Sequence, residues 1–321
     1  MYIIETKNLT KKFGKLIAVN KLDLRINEGE IFGLLGPNGA GKTTTLSMLS
    51  TLIPPTEGKA SVNGFDVAKE QSKVRKSIGF VFQDPSSDDL LTGRENLYLH
   101  ALMYGVDRHE INKRIDDALK LVDLTQRQHE RVKRYSGGMR RRLELARGLL
   151  HEPKILFLDE PTLGLDPQTR EHLWRYIKRL STEKRTTIII TTHYMDEADR
   201  LCDRVAIIDH GKISALDTPT NLKKGLGGDV VKLKIKNPNL AAVKKLKFVR
   251  RVNSDGGVVT ITVNDAAMHL QKILKVIGDV ESVESRSPTL NDVFLYFTGS
   301  EIREGEAEGG YFERMIRSRN R

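Results

Sequence analysis

Gly36, Pro37, Asn38, Gly39, Ala40, Gly41, Lys42 and Thr43 satisfy the spacing G-x-x-x-x-G-K-[ST]. Glycines at these intervals let successive backbone N–H groups, from Gly39 through Thr44, approach an anionic chain. A helix N-terminus adds favourable dipole, Lys42 adds a full positive charge, and the Thr43 hydroxyl is a hard oxygen suited to Mg²⁺. The chemistry implied is polyphosphate binding. A hundred residues later a second glycine run, Ser136-Gly137-Gly138, precedes an apolar segment, Ile155 to Leu158, that ends in Asp159-Glu160. Two carboxylates there could hold a divalent cation and take a proton from water, which is what hydrolysis of a phosphoanhydride requires.

These groups need elements to hold them. Ile31 to Leu35 reads as a short buried strand running into the phosphate loop, and the helix after Lys42 ends before Pro54-Pro55, because proline cannot continue it. Leu22, Leu24 and Ile26 alternate as in a half-buried strand; Ala60, Val62 and Gly64 mark a hairpin, and Ile78 to Phe82 a further strand. Between about residues 88 and 150 the pattern turns helical. Thr92-x-x-Glu95 and Asp107-x-x-Glu110 predict capped helix starts, and Leu97, Ala101, Tyr104 and Ile111, Ile115, Leu119, Val122 form two apolar stripes. Strands then alternate with helices: Ile155 to Leu158, a helix around Trp174, Thr187 to Ile190, a short helix near Ala198, Val205 to Ile208 and Ile213 to Leu216. That rhythm predicts a mostly parallel sheet with ligands at the strands' carboxyl ends.

After Pro219 the rhythm changes, and Gly225, Gly227 and Gly228 mark a linker. Residues 221–300 read as strand, helix, strand, an Asp255-Gly256-Gly257 turn, strand, helix and strand, the βαββαβ order of a ferredoxin-like unit, with one more helix from Leu290 to Phe297. From about Glu301 to residue 321 the composition predicts a flexible tail.

The 321 residues are 39% hydrophobic and 30% charged, enough apolar material for one large or two ordinary domains. The opening segment does not read as a secretory signal, and no stretch approaches the roughly 18 to 20 apolar residues that span a bilayer, so a soluble protein is expected. A single cysteine, Cys202, excludes an intrachain disulfide and a multi-cysteine metal site, and fits a reducing cytosol. The net charge of +11 permits contact with nucleic acid or anionic lipid, although much of it is interleaved with acids as a solvated surface. The densest basic run, Arg131, Lys133, Arg134 and Arg140, Arg141, Arg142, flanks the second glycine loop, where attraction to bound polyphosphate is a competing explanation.

Gly36 to Thr43, Gln83, Ser136-Gly137-Gly138, Asp159-Glu160, Asp166 and His193 stand in an order that resembles the ATPase subunits of ATP-binding cassette (ABC) transporters, over roughly residues 1–220. The resemblance implies an α/β phosphate-loop NTPase core with an antiparallel β subdomain and a helical subdomain. It implies ATP and Mg²⁺ as ligands, with Lys42 on the β- and γ-phosphates and Thr43, Asp159 and Gln83 on the metal side. Glu160 would activate the attacking water and His193 would position it; Asp166 would close a dimer-contact loop. An aromatic ring at Phe13 would stack on adenine, or serve as a buried structural side chain. In such proteins the second glycine loop, here flanked by Tyr135 and Met139 rather than the usual Leu and Gln, contacts ATP on the opposite subunit, so that two copies close head-to-tail over two nucleotides.

The βαββαβ unit ending SPTLNDVFLYFTG and the string YSGGMRRRLELARGLL are similar to the ATPase subunits of daunorubicin-resistance-type exporters. That likeness implies a peripheral ATPase on the inner face of the cell membrane, beneath a separately encoded permease that exports a hydrophobic or amphipathic compound. Permease contact is expected around Asp84 to Tyr104. A soluble ABC ATPase in nucleic-acid maintenance or cofactor assembly is the alternative, but neither a long inserted coiled coil nor a second cassette is present, and no specific nucleic acid is expected. For the C-terminal unit, RNA binding is the rival to stabilising or regulating the dimer; against it, strand Val258 to Val263 lacks a stacking aromatic.

Overall fold

The computed structural model describes residues 2–298; the tail expected from residue 301 lies outside the described residues. Residues 2–216 form one compact unit and residues 217–298 a second.

The first unit carries two sheets. β1 (Tyr2–Phe13), β2 (Leu16–Asn27), β4 (Glu57–Val62) and β5 (Phe65–Asp66) pair antiparallel in the order β2-β1-β4-β5. The larger sheet runs β10-β9-β3-β8-β7-β6, built from β3 (Ile31–Leu35), β6 (Ile78–Val81), β7 (Ile155–Asp159), β8 (Thr187–Thr192), β9 (Arg204–Asp209) and β10 (Lys212–Asp217). From β9 to β6 its pairings are parallel. Every residue of β3, β7 and β8 is buried, which is why these strands read as unbroken apolar or threonine-rich runs rather than alternating ones. Helix α1 (Lys42–Leu49) joins the sheets: its Leu46, Met48 and Leu49 share one core with Ile4, Leu24 and Ile26 of the antiparallel sheet and Phe32, Leu34, Phe157 and Ile189 of the parallel one. Helix α2 (Gln71–Ser77) leads into β6, and α6 (Pro167–Lys184) and α7 (Met195–Leu201) pack on the parallel sheet.

The helical insert holds α3 (Gly93–Met103), α4 (Ile111–Leu121) and α5 (Gly137–Leu149), which pack on one another. The predicted cap at Thr92 forms in full: its hydroxyl accepts from Glu95 N (3.2 Å), and Glu95 Oε2 accepts from Thr92 N (2.7 Å). The cap expected at Asp107 does not. Its carboxylate instead accepts from His109 N at 2.9 Å, closing a local turn, and α4 begins after Glu110, which spends its side chain on Arg114. Of the two predicted stripes, Tyr104 falls outside the core; it ends α3 and stacks on His151 at 4.0 Å between ring centroids.

In the second unit β11 (Asp229–Ile235), β12 (Val249–Asp255), β13 (Val258–Val263) and β14 (Val280–Arg286) form an antiparallel sheet in the order β12-β13-β11-β14. Helices α9 (Leu240–Lys244) and α10 (Ala266–Ile277) complete the βαββαβ unit. Its core gathers Val231, Leu233, Ile235, Val259, Ile261 and Val263 from the strands with Val243, Ile273 and Ile277 from the helices. The stretch read as a linker contains a helix, α8 (Pro219–Gly225), capped by Thr218 and packed on α11 (Leu290–Thr298).

Candidate active site

The parallel register builds the site. Leu35 pairs with Thr192, so the phosphate loop leaves β3 beside the residue that follows β8, His193; Asp159 pairs with Thr191, one strand further on. All three chains thus emerge at the carboxyl end of one sheet, where an α/β fold places its ligands.

The loop from Gly36 to Gly41 needs its glycines for two different reasons. A Cβ on Gly36 would lie 2.3 Å from Ile208 O of β9, and Gly41 holds φ +103° with Ala18 O of β2 2.4 Å from where a Cβ would be. Neither neighbour can retreat, because both oxygens belong to strand backbone. Gly36→Ala is therefore expected to destabilise the fold by about 1–3 kcal/mol or more, as overpacking does, read as a lowered thermal midpoint. An unchanged midpoint would show that β9 yields. Beyond the loop, Lys42 is 4% exposed. Its Nζ donates to Gly36 O (2.9 Å) and Pro37 O (3.1 Å) and lies 3.3 Å from Glu160 Oε1. Burial pulls its ammonium below the usual lysine range, against the opposing pull of Glu160 and Asp159.

Asp159 and Glu160 take different partners. Asp159 Oδ1 accepts from Thr43 Oγ1 (3.1 Å) and Thr191 Oγ1 (2.5 Å), and burial raises its carboxyl above the usual range despite both hydroxyls. Glu160 holds φ 46°, a left-handed backbone that a non-glycine residue seldom adopts, while its N–H donates to Thr191 Oγ1 at 3.0 Å. That turn aims its carboxylate toward Lys42 and His193, whose Nδ1 is 3.4 Å from Glu160 Oε1. Burial pushes the Glu160 carboxyl up, but His193 and Lys42 together outweigh it and hold the group below the usual carboxylate range. The result is an ionised base beside a buried cation. The Thr43 hydroxyl and Asp159 carboxylate, in mutual contact, are the hard-oxygen pair that Mg²⁺ accepts alongside phosphate oxygens and water.

The other predicted residues fall around this centre. Pro37 is half-buried, Asn38 and Gly39 are exposed, Ala40 is buried, and Thr43 and Thr44 open the first turn of α1. Gln83 follows β6, next to β7, with its main-chain carbonyl held by Arg141 at 3.2 Å. Phe13 ends β1 at the hairpin whose return strand passes Gly41; its ring is 44% exposed, which removes the buried structural reading, and Lys11 Nζ lies 5.2 Å from its centroid. Asp166 caps α6, its Oδ1 accepting from Thr169 N at 2.9 Å. Ser136 caps α5 through Met139 N at 3.3 Å, Ser136 and Gly137 are exposed, and Gly138 lies so close to Thr169 of α6 that a Cβ would meet Cγ2 at 2.6 Å. Among the described residues, no hydrogen bond of Ser136-Gly137-Gly138 reaches the phosphate loop of the same chain.

Two contributors were not foreseen. Thr191, one residue past the strand expected from Thr187 to Ile190, is invisible as a partner of Asp159 until the β7–β8 register is known. Arg141, in a basic run left open between a solvated surface and attraction to bound polyphosphate, is 5% exposed and spends its guanidinium on main-chain carbonyls of the site.

No helix among the described residues is long and apolar enough to cross a membrane. Residues 19–163 match the family described as ABC transporter, and residues 218–298 match the DrrA1-3-like ATP-binding protein C-terminal domain. The linearmycin resistance ATP-binding protein LnrL of Bacillus subtilis is 37% identical over 94% of this chain and all of its own length. The daunorubicin resistance ATP-binding protein DrrA3 of Streptomyces coeruleorubidus is 39% identical over 92% of this chain and 96% of its own. Among solved structures, a dimeric ATP-binding cassette in a post-hydrolysis state bound to ADP and phosphate superimposes with TM-score 0.62 at 31% identity, covering 67% of this chain and 98% of its own. Relatives this similar over almost the whole length, together with the two matching families, make this chain a member of the ABC transporter ATPases.

Proposed function

We propose that this ATPase drives export of a hydrophobic or amphipathic compound, working as a head-to-tail pair of cassettes beneath a separate membrane permease. The observation that carries the pairing is the exposure of Ser136 and Gly137 at the N-terminus of the 13-residue helix α5. An exposed glycine loop on a helix N-terminus suits a phosphate chain supplied by another subunit. The export reading is supported by the relatives, named for resistance to linearmycin and daunorubicin. Leu90, Leu99, Leu102 and Met103, all exposed on α3 and the loop before it, support permease docking there.

In this reading the amides from Gly39 to Thr44 and the Lys42 ammonium hold the β- and γ-phosphates, and Phe13 stacks on the base. Thr43, Asp159 and Gln83 would hold Mg²⁺, which supplies charge neutralisation at the phosphate oxygens. Glu160 accepts a proton from the attacking water as its oxygen bonds to the γ-phosphorus and the bond to the β-phosphate oxygen breaks. His193 fixes that water and the γ-phosphate, and Asp166 lies in the loop that meets the partner cassette.

The test is isolation of full-length Glu160→Gln from membranes of the producing cell, with and without ATP. A multi-spanning protein should co-purify, and the released ATPase should run as a dimer only with ATP. An ATP-loaded monomer would overturn the pairing, and salt-sensitive nucleic-acid binding that stimulates the parent enzyme would overturn export.

A further inference from the structure

We propose that Arg141 is a positioning residue that couples engagement of the Ser136-Gly137-Gly138 loop to the placement of Gln83 and Glu160. The proposal rests on the paired-cassette reading above. Arg141 lies on α5, within one turn of Gly138, and faces away from the exposed loop into the core. Its Nε donates to Pro161 O (2.6 Å), Nη2 to Asp159 O (2.9 Å) and Nη1 to both Phe82 O and Gln83 O. One guanidinium therefore holds the backbone on both sides of Glu160 and the backbone of Gln83 itself.

The next turns of α5 extend the same grip. Glu144 Oε1 accepts from Ser86 N (3.1 Å) and Ser87 N (2.9 Å), and its Oε2 accepts from Ser86 Oγ (3.1 Å). Arg147 Nη1 donates to both Glu144 oxygens, at 2.9 and 2.8 Å, and to Ser86 Oγ at 2.9 Å. Phe82, Gln83, Ser86 and Ser87 are thus fastened to the helix whose N-terminus carries the glycine loop. A helix is stiff over this length, so a phosphate that draws on Ser136 and Gly137 displaces Arg141 as well. The carbonyls it holds then move together, which sets Gln83 and Glu160 relative to the water. Burial brings the Arg141 guanidinium down to about 10, still cationic at neutral pH, facing the charges of Glu144, Asp159, Glu197 and Asp84.

The test compares Arg141→Lys and Arg141→Ala in the full-length protein, alone and combined with Glu160→Gln. Lysine keeps the charge but cannot present a planar fork to carbonyls on two loops. Arg141→Lys should lower kcat by about 10²-fold, the scale of an ångström-sized misplacement, with KM and equilibrium ATP affinity little changed. R141K/E160Q should still dimerise with ATP, and millimolar guanidinium, not methylammonium, should restore part of the turnover lost in Arg141→Ala. Turnover of Arg141→Lys within about twofold of the parent, where one factor of ten would correspond to a clear change in barrier, overturns the proposal. So does joint loss of folding, ATP affinity and turnover, which would assign Arg141 a purely structural role. If Glu160→Gln alone fails to dimerise with ATP, the paired-cassette reading falls and takes the loop with it as the source of the signal. The kcat of Arg141→Lys is read independently of that result.

Discussion

Glu160→Gln is expected to lower steady-state ATP hydrolysis by about 10²–10⁴-fold, the range that removal of one general base produces, while ATP binding persists. Glutamine keeps the shape of the side chain and an oxygen that can accept from Lys42, 3.3 Å away in the parent. It loses the capacity to take up a proton. The parent carboxyl is 8% exposed and would protonate readily in isolation, but His193 and Lys42 hold it ionised. The sign of its pH dependence follows: the base is active above its depressed folded value and fails only as pH falls through it. The Glu160 contribution to turnover should therefore persist on the acid side until pH drops below the ordinary carboxylate range, whereas Glu160→Gln should lack that limb and keep only the one set by the raised Asp159 carboxyl. Measured turnover within tenfold of the parent would move the base to another group, with His193, 3.4 Å from Glu160, the imidazole at hand.

Lys42→Met should remove ATP binding with little change in the stability of the nucleotide-free protein. Hydrogen bonds to a charged donor are worth about 1.5–3 kcal/mol each, and losing two from the phosphates corresponds to about 10²–10⁴-fold in affinity. For the fold itself two effects oppose. Burial depresses the Lys42 ammonium, so the folded state gives up a proton more readily than the unfolded chain, and the group weakens the fold at neutral pH, an effect that fades as pH rises through its folded value. Removing it relieves that burden. Yet among the described residues Glu160 then keeps only His193 as an ion-pair partner, and its burial counts for more. A thermal melt with and without MgATP separates the effects: the parent midpoint should rise with nucleotide, and that rise should vanish in Lys42→Met. A persisting rise would mean that the loop amides suffice.

The parts of the molecule that could be read from the chain are those in which local pattern and tertiary role agree. β3, β7 and β8 are buried on both faces, so their apolar runs are direct records of position, and the chemical residues follow at their ends. Helix α10 fills the second helical place of the predicted βαββαβ order, with the Asp265 carboxylate accepting from Met268 N at 3.1 Å. Legibility fails where one residue type serves two ends. Asp107 can cap a helix or close its own turn, and only packing decides between them. Pro219 and Gly225 punctuate a linker or bound a short helix equally well; Leu222, buried on α8, is the residue that chooses. Three consecutive arginines look alike in sequence, yet Arg140 pairs with Asp89, Arg142 reaches Val122 O at 3.0 Å, and Arg141 alone of the three turns inward to the site. Partners many residues apart, such as Asp159 and Thr191, belong to strand register, which no local pattern encodes.

The left-handed backbone of Glu160 sets stability and turnover against each other at a single codon. A non-glycine residue at φ 46° carries strain of about 1–3 kcal/mol, which glycine would avoid and asparagine would reduce. A population selected for heat resistance alone would drift toward those residues at position 160 and accumulate well-folded, nucleotide-binding, inert proteins. Only continued demand for the work of hydrolysis keeps a carboxylate there, so the identity of this residue reports on selection for activity, while the buried run Ile155 to Leu158 before it reports on selection for the fold.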